Sequence, residues 1–311
     1  MKFLLYGALI LSQSAVAARQ YSMKKCGSLA PGVFNSICIN LARSSLCLVV
    51  SLIIWLFVDG KGTSATGVLI SIAAGIGTAF NLLTWILSSQ RVSLTLLEGA
   101  CAVGSLILPL FLAPYLYGGE TVSLIQWIGT FLLIISLLLF AGNNSGRKEK
   151  KSLFVSVILV LVCALSTTVA AVTKKLYTFH VTAKGEGSVE FFTLIGFVTI
   201  LVTFALLFVF YYRAELGRVN AYAESGVLQR VEFPYRRAWV FILIAAVSLY
   251  VSELFATYAS DLPSAIYYPA TKAMNVLGCF LLDAIVFKEK TTVKKVIGLV
   301  LLVTAVILVN I

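Results

Sequence analysis

Charged side chains inside long apolar runs are where this chain can do chemistry. Lys272 stands nine residues beyond Pro263 in the run 263–286, roughly 13 Å from its start at helical rise. A lysine at that depth in hydrocarbon costs at least a few kcal/mol and can serve as a fixed positive charge for a carboxylate or phosphate. Glu253 lies eight residues before Asp261 in the preceding run. The hairpin joining the two runs puts them at depths of about 12 and 16 Å. One reading is a buried ion pair that holds the hairpin together; the other is a counter-ion for which a substrate or a proton competes. Tyr267 and Tyr268 precede Lys272 by about a turn and offer apolar or stacking walls. Pro269 removes a backbone hydrogen bond and frees a carbonyl, an interruption tolerated at membrane depth where it is buried in protein.

Other polar groups lie in similar runs. Glu98, five residues past Ser93, either pairs with Arg91 or solvent near the interface or offers a binding carboxylate. Arg43, ten residues into its run, either snorkels or makes a packing or gating contact. Glu190 and Asp283 fall near run ends and read as interfacial. Lys174 and Lys175 read as anchors, and His180 as a loop residue without a ligand cluster. Gln13, Asn81, Trp85 and Tyr250 need hydrogen-bond or packing partners, which neighbouring helices or a bound molecule can supply. Ser71, Gly75 and Ala79 form a small-residue stripe suited to close helix packing.

The elements that must position these groups follow from composition. Of 311 residues, 60% are apolar and 12% charged, with a mean hydropathy of +0.99. Soluble domains carry about a quarter charged residues, so a soluble enzyme, a disordered chain and a secreted disulfide scaffold are excluded. The net charge of +11 sits mainly between apolar runs, where it flanks membrane spans rather than forming a nucleic-acid footprint. The cysteines (Cys26, Cys38, Cys47, Cys101, Cys163 and Cys279) are scattered singly and read as small buried hydrophobes. Crossing about 30 Å of hydrocarbon takes roughly 20 residues. Ten such runs occur, at about 3–18, 33–58, 66–89, 93–117, 122–141, 152–173, 188–212, 237–259, 263–286 and 292–310. Lys2, the apolar segment after it and Ala15-Val16-Ala17 resemble a cleavable secretory signal in isolation.

An internal repeat argues for retaining that first run. Glu120 and Gly129 recur as Glu289 and Gly298 at one separation of 169 residues, and Ser14 to Ala18 echoes Thr167 to Ala171 at 153. Run four then corresponds to nine, five to ten, and one to six. A repeat of five spans enters the membrane from the opposite side in its second copy, the device by which carriers place a site at the midplane. The expected architecture is an all-α membrane protein of ten transmembrane helices in two inverted repeats. They cover residues 1–146 and 147–311, with a longer polar loop at 213–237.

Leu262-Pro263-Ser264-Ala265, the in-span Pro269, Phe287-Lys288-Glu289-Lys290-Thr291 and Ile297-Gly298-Leu299 resemble the ninth and tenth helices of EamA-type transporters of the drug/metabolite transporter superfamily. Arg43 also falls where that family often carries an arginine. Span one departs from the family in having Tyr6-Gly7 where a Trp-Gly pair is common. The resemblance implies a secondary carrier with both termini cytoplasmic. Charge bias argues the reverse, because 17 of the 22 basic residues outside Arg43 and Lys272 fall in the odd-numbered loops.

Motifs for other chemistry are weak. Gly75-Ile76-Gly77 lacks the remainder of a dinucleotide fingerprint, and Gly60-Lys61-Gly62 lacks the hydroxyl of a phosphate loop. Asn143-Asn144-Ser145 is only a formal glycosylation acceptor. The expectation is therefore a non-enzymatic, multi-pass protein of a cell membrane without cofactor, metal or nucleic-acid partner. It moves a small, anionic or amphipathic metabolite by alternating access, with Lys272 as leading contact and Glu253 as its counter-ion or a proton site. The alternative is a proton-coupled exporter of cationic or neutral drug-like compounds that uses Glu98 or Glu253. A sensor, scaffold or lipid-handling protein fits less well, because the loops leave nothing to signal with.

Overall fold

The computed structural model describes residues 2–30, 32–58, 61–90, 94–117, 122–141, 150–224, 235–288 and 293–309. Leu, Ile, Val, Ala and Phe dominate the runs, and in hydrocarbon their backbones must satisfy their own hydrogen bonds, which selects helices. The described residues form α1 (Lys2–Leu29), α2 (Val33–Val58), α3 (Ala65–Ser89), α4 (Leu94–Leu116), α5 (Leu124–Ala141), α6 (Lys150–His180), α7 (Val189–Glu224), α8 (Tyr235–Ala259), α9 (Ser264–Leu281) and α10 (Val293–Val309). A 3₁₀ turn (Thr182–Lys184) precedes α7, and a π segment (Leu282–Val286) extends α9. No strand occurs among the described residues. Six helical segments there are long and apolar enough to cross a bilayer: Val33–Val58, Ala65–Ser89, Ile158–Lys184, Val189–Arg213, Ala238–Ala259 and Ser264–Val286. The chain is a helical, multi-pass membrane protein.

Hydroxyl side chains are reconciled with the apolar setting inside their own helices. Ser71 donates to Gly67 O, Thr84 to Phe80 O and Thr173 to Val169 O, each four residues back, the back-bonding available to Ser and Thr. Outward faces stay apolar, as with Leu52, Ile53, Leu56 and Phe57 on α2 and Val202, Leu206, Val209 and Phe210 on α7.

The helices of residues 1–146 pack mainly on those of 147–311. α1 packs on α8 and α6 on α3; α4 packs on α6 and α9 on α1; α3 packs on α7 and α8 on α2. The pairs α2–α7, α4–α9 and α5–α10 complete the bundle. Advancing every helix by five positions, with α6 to α10 returning to α1 to α5, converts this set into itself. At the α5–α10 seam, the repeated glycines Gly129 and Gly298 are both buried, and Ser136 Oγ donates to Gly298 O at 2.7 Å.

Several boundaries differ from the sequence expectation. α1 continues past residue 18 to Leu29, so Arg19, Gln20 and Lys24 are helical. α6 continues to His180, so Lys174 and Lys175 lie buried before its end rather than anchoring it. His180 is a helix terminus whose Nε2 sits 3.1 Å from Leu116 O. The polar stretch 213–237 is helical at both ends, because α7 runs to Glu224 and α8 starts at Tyr235. Arg91, Glu120, Glu289 and Asn143-Asn144-Ser145 lie outside the described residues.

The small-residue stripe of α3 serves packing. A Cβ on Gly75 would sit 2.6 Å from Thr199 Cβ and 2.8 Å from the Gly196 carbonyl oxygen of α7. A Cβ on Gly7 would meet nothing within 4 Å. Gly75→Ala should therefore destabilise the protein by about 1–3 kcal/mol through overpacking, whereas Gly7→Ala should be neutral or slightly stabilising through helix propensity. Thermal unfolding midpoints of the two variants in one detergent test this; an unchanged midpoint for Gly75→Ala would show that the α3–α7 seam yields.

Candidate functional site

α1, α6 and α8 bring three charges together. Glu253 of α8 pairs with Lys174 of α6 at 2.7 Å and with Arg19 of α1 at 3.6 Å. Arg19 Nη1 also donates to Ser252 Oγ at 3.4 Å, and Ser12 Oγ of α1 donates to Ser252 O at 3.1 Å. The expected Glu253–Lys272 pair is not made. Similar depth along two helices does not fix the direction a side chain takes around each axis, and Glu253 turns toward α1 and α6.

Lys272 occupies the middle of α9 and is 5% exposed. No hydrogen bond or ion pair reaches it among the described residues, and the charge that attracts it most is Glu98. Glu98 is itself buried. One of its carboxylate oxygens accepts from Gln20 Nε2 at 2.7 Å and from Trp85 Nε1 at 2.8 Å. Cys279 Sγ, two turns past Lys272, donates to Gln20 Oε1 at 2.9 Å. Between them on α9, Asn275 Oδ1 is buried without a partner.

Arg43 does not snorkel. Its side chain is fully buried on α2, where Nη2 donates to Asn40 Oδ1, while Nε and Nη1 have no partner. Among the described residues, Arg43, Lys174, Lys175 and Lys272 are buried cations, and Glu98, Glu190 and Asp283 are buried carboxylates.

Two clefts flank these groups. One lies among α3, α6, α7 and α8, lined by Gly75, Thr78, Lys174, Thr193, Glu253 and Thr257 among others. The other lies among α1, α2 and α3, lined by Arg19, Gln20, Arg43, Asn81, Leu82 and Trp85 together with Met23. The first lies toward the face where α3 and α7 begin, the second toward the face where α3 ends. The Arg19–Glu253 pair stands where they adjoin, since Arg19 lines one cleft and Glu253 the other.

Other expected residues are used structurally. Tyr267 OH donates to Ala256 O at 3.2 Å, and Tyr268 OH lies 3.0 Å from Tyr117 OH. Both rings are buried in the core among α4, α8 and α9, and neither lines either of these two clefts. Tyr250 stacks on Phe197 with ring centroids 6.1 Å apart. Asn81 donates to Thr167 Oγ1 at 2.5 Å and so ties α3 to α6. Gln13 is buried on α1 with Nε2 on Ser12 Oγ and Oε1 unpartnered. Pro269 is internal to α9. Glu190 and Asp283 are buried too, the first accepting from Tyr258 and the second paired with Lys24 at 3.3 Å.

Sequence reasoning missed Arg19, Gln20 and Lys174. A signal was present: the match of Ala17-Ala18 to Ala170-Ala171 sets Arg19-Gln20 opposite Val172-Thr173, still inside a helix. Among the described residues no group of His, Cys, Asp and Glu can hold a metal ion.

No family model and no curated protein matches the chain. Among solved structures it is similar to one described only as "Crystal structure of protein", with a TM-score of 0.67 and 12% identity over 98% of both chains. That likeness is one of fold.

Double-mutant cycles with glutamine discriminate the two candidate partners of Glu253. The Glu253–Lys174 cycle should show a coupling of about 1–3 kcal/mol in unfolding free energy, the range for groups in direct contact. The Glu253–Lys272 cycle should show near-additivity. Comparable coupling in both would place Lys272 in the Glu253 network.

Proposed function

We propose that this protein is a secondary transporter of a small, anionic metabolite. It spans the cell membrane ten times as two inverted five-helix repeats, residues 1–146 and 147–311. It alternates access to a central site between them and catalyses no covalent change. The observation that carries the reading is the buried Lys272 in the middle of α9, which makes no hydrogen bond or ion pair among the described residues. Such a group is too costly to hold for packing alone, and a bound carboxylate or phosphate supplies the missing charge. The sequence resemblance to EamA-type transporters agrees with it. So does the helix pairing that repeats at a spacing of five, the pattern expected of repeats related by an axis in the membrane plane.

In this reading Lys272 holds the anion, with Asn275 beside it to accept a hydrogen bond from the substrate. Glu98, fixed by Gln20 and Trp85, is the counter-charge of Lys272 in the empty state. Glu253 belongs to the partition between the clefts, and Tyr267 and Tyr268 hold α9 against α4 and α8. A substrate that draws Lys272 from the field of Glu98 gives binding a means to bias one conformation over another, because a ligand shifts an equilibrium only through differential contacts.

Purified protein in liposomes, offered a charge-balanced panel of amino acids, sugar phosphates, nucleosides and organic cations, tests the reading. An anion should be taken up. Lys272→Gln should weaken its apparent affinity about tenfold or more, as loss of a charge-assisted hydrogen bond implies. Uptake of cations alone, abolished by Glu98→Gln and unaffected by Lys272→Gln, would replace this reading with a cation exporter.

A further inference from the structure

The end of α1 meets the end of α9 along a single row of side chains. Gln20 and Lys24 stand one turn apart on α1. Cys279 on α9, Asp283 in the π segment and Phe287 just after it continue at the same interval. Cys279 Sγ donates to Gln20 Oε1 at 2.9 Å, and Lys24 Nζ pairs with Asp283 Oδ1 at 3.3 Å. The same ammonium lies 4.0 Å from the centroid of the Phe287 ring, and Lys25 Nζ lies 5.5 Å from it. The row starts beside the proposed site, because Gln20 also donates to Glu98. It ends at the face where α9 ends. Cys279 and Asp283 are buried, whereas the side chain of Lys24 is 18% exposed.

The α9 side of the row departs from α-helical geometry. Phe287 N donates to Leu282 O at 3.0 Å, five residues back, and the wide turn Leu282–Val286 contains Asp283. Lys288 follows at φ +51°, in the left-handed region that residues other than glycine enter rarely. Wide turns of this kind recur at functional sites, and hinges place their φ/ψ changes at the ends of elements. We infer that this row is a gate: the end of α1, moving off the end of α9, opens this face of the bundle to the Lys272 site, and Lys24 on Asp283 and Phe287 keeps it shut. The inference rests on the transporter reading, whose site the gate controls. Cys279 is the inner α9 member of the row, so an open gate uncovers its thiol.

Thiol labelling of the full-length protein in detergent tests the gate without any substrate. A sulfonated maleimide that does not enter apolar cores adds to uncovered thiols, and peptide mass spectrometry reads each cysteine separately. Cys279 should label slowly in the wild type. Asp283→Asn should raise its rate about tenfold or more, as loss of a charge-assisted hydrogen bond implies, and Lys24→Gln should do the same. Should Asp283→Asn fail to fold, Lys24→Gln carries the test alone. Cys47, buried on α2 with Sγ on the Ala246 carbonyl of α8, should keep its wild-type rate. A Cys279 rate unchanged in either variant that folds overturns the gate. So does an equal rise at Cys47, which reports general loosening of the bundle. Uptake into liposomes separates this outcome from the transporter reading. The expected labelling with no solute taken up keeps the gated opening and overturns the carrier; uptake with an unresponsive Cys279 keeps the carrier and overturns the gate.

Discussion

Hydrocarbon cannot solvate a carboxylate, and Glu253 on α8 is held in the bundle only because α1 and α6 each deliver a cation to it. Removing both cations leaves that carboxylate unmatched in a low-dielectric interior, a penalty of several kcal/mol. Arg19 and Lys174 therefore bind their helices to α8 more strictly than apolar packing does, since lipid tails compete for apolar surface as well as protein does. The α1–α8 seam, with Ser12 bonded to the Ser252 carbonyl, follows from that constraint. Close approach follows it on the other side. Gly75 admits the Gly196 carbonyl of α7, and Gly77 admits Val169 of α6. Both neighbours of α3 thus come near enough to close the cleft that holds the ion pair.

The path of the chain was largely legible in its hydropathy, and the central helices begin and end close to the ends of the apolar runs. The departures share one cause. A run of hydropathy ends at the first polar residues, but a helix in a bundle can continue when those residues turn inward. Arg19 and Gln20 on α1, and Lys174 and Lys175 on α6, are such residues. Read linearly they belong to loops, whereas in the bundle they are buried polar groups.

Depth was legible and azimuth was not. Counting residues from the hairpin brings Glu253 and Lys272 to similar levels, yet Glu253 turns toward Lys174 and the two side chains do not pair. The same limit applies to Tyr267 and Tyr268. Their adjacency to Lys272 in sequence suggested a shared wall, but neighbours on a helix point about 100° apart per residue. Their hydroxyls are taken by Ala256 O and Tyr117. Glu98 was read either as a carboxylate near the interface or as a binding carboxylate; its partners on α1 and α3 are long-range and leave no local pattern.

The two clefts occupy corresponding places in the two halves, one built mainly on α1, α2 and α3 and the other on α6, α7, α8 and α3. Their chemistry does not correspond. The first presents two arginines and no acid; the second presents a lysine already paired with a glutamate. The repeat is therefore one of backbone and helix pairing, whereas the charges that distinguish the two halves come from single positions, as where Arg19 stands opposite Val172.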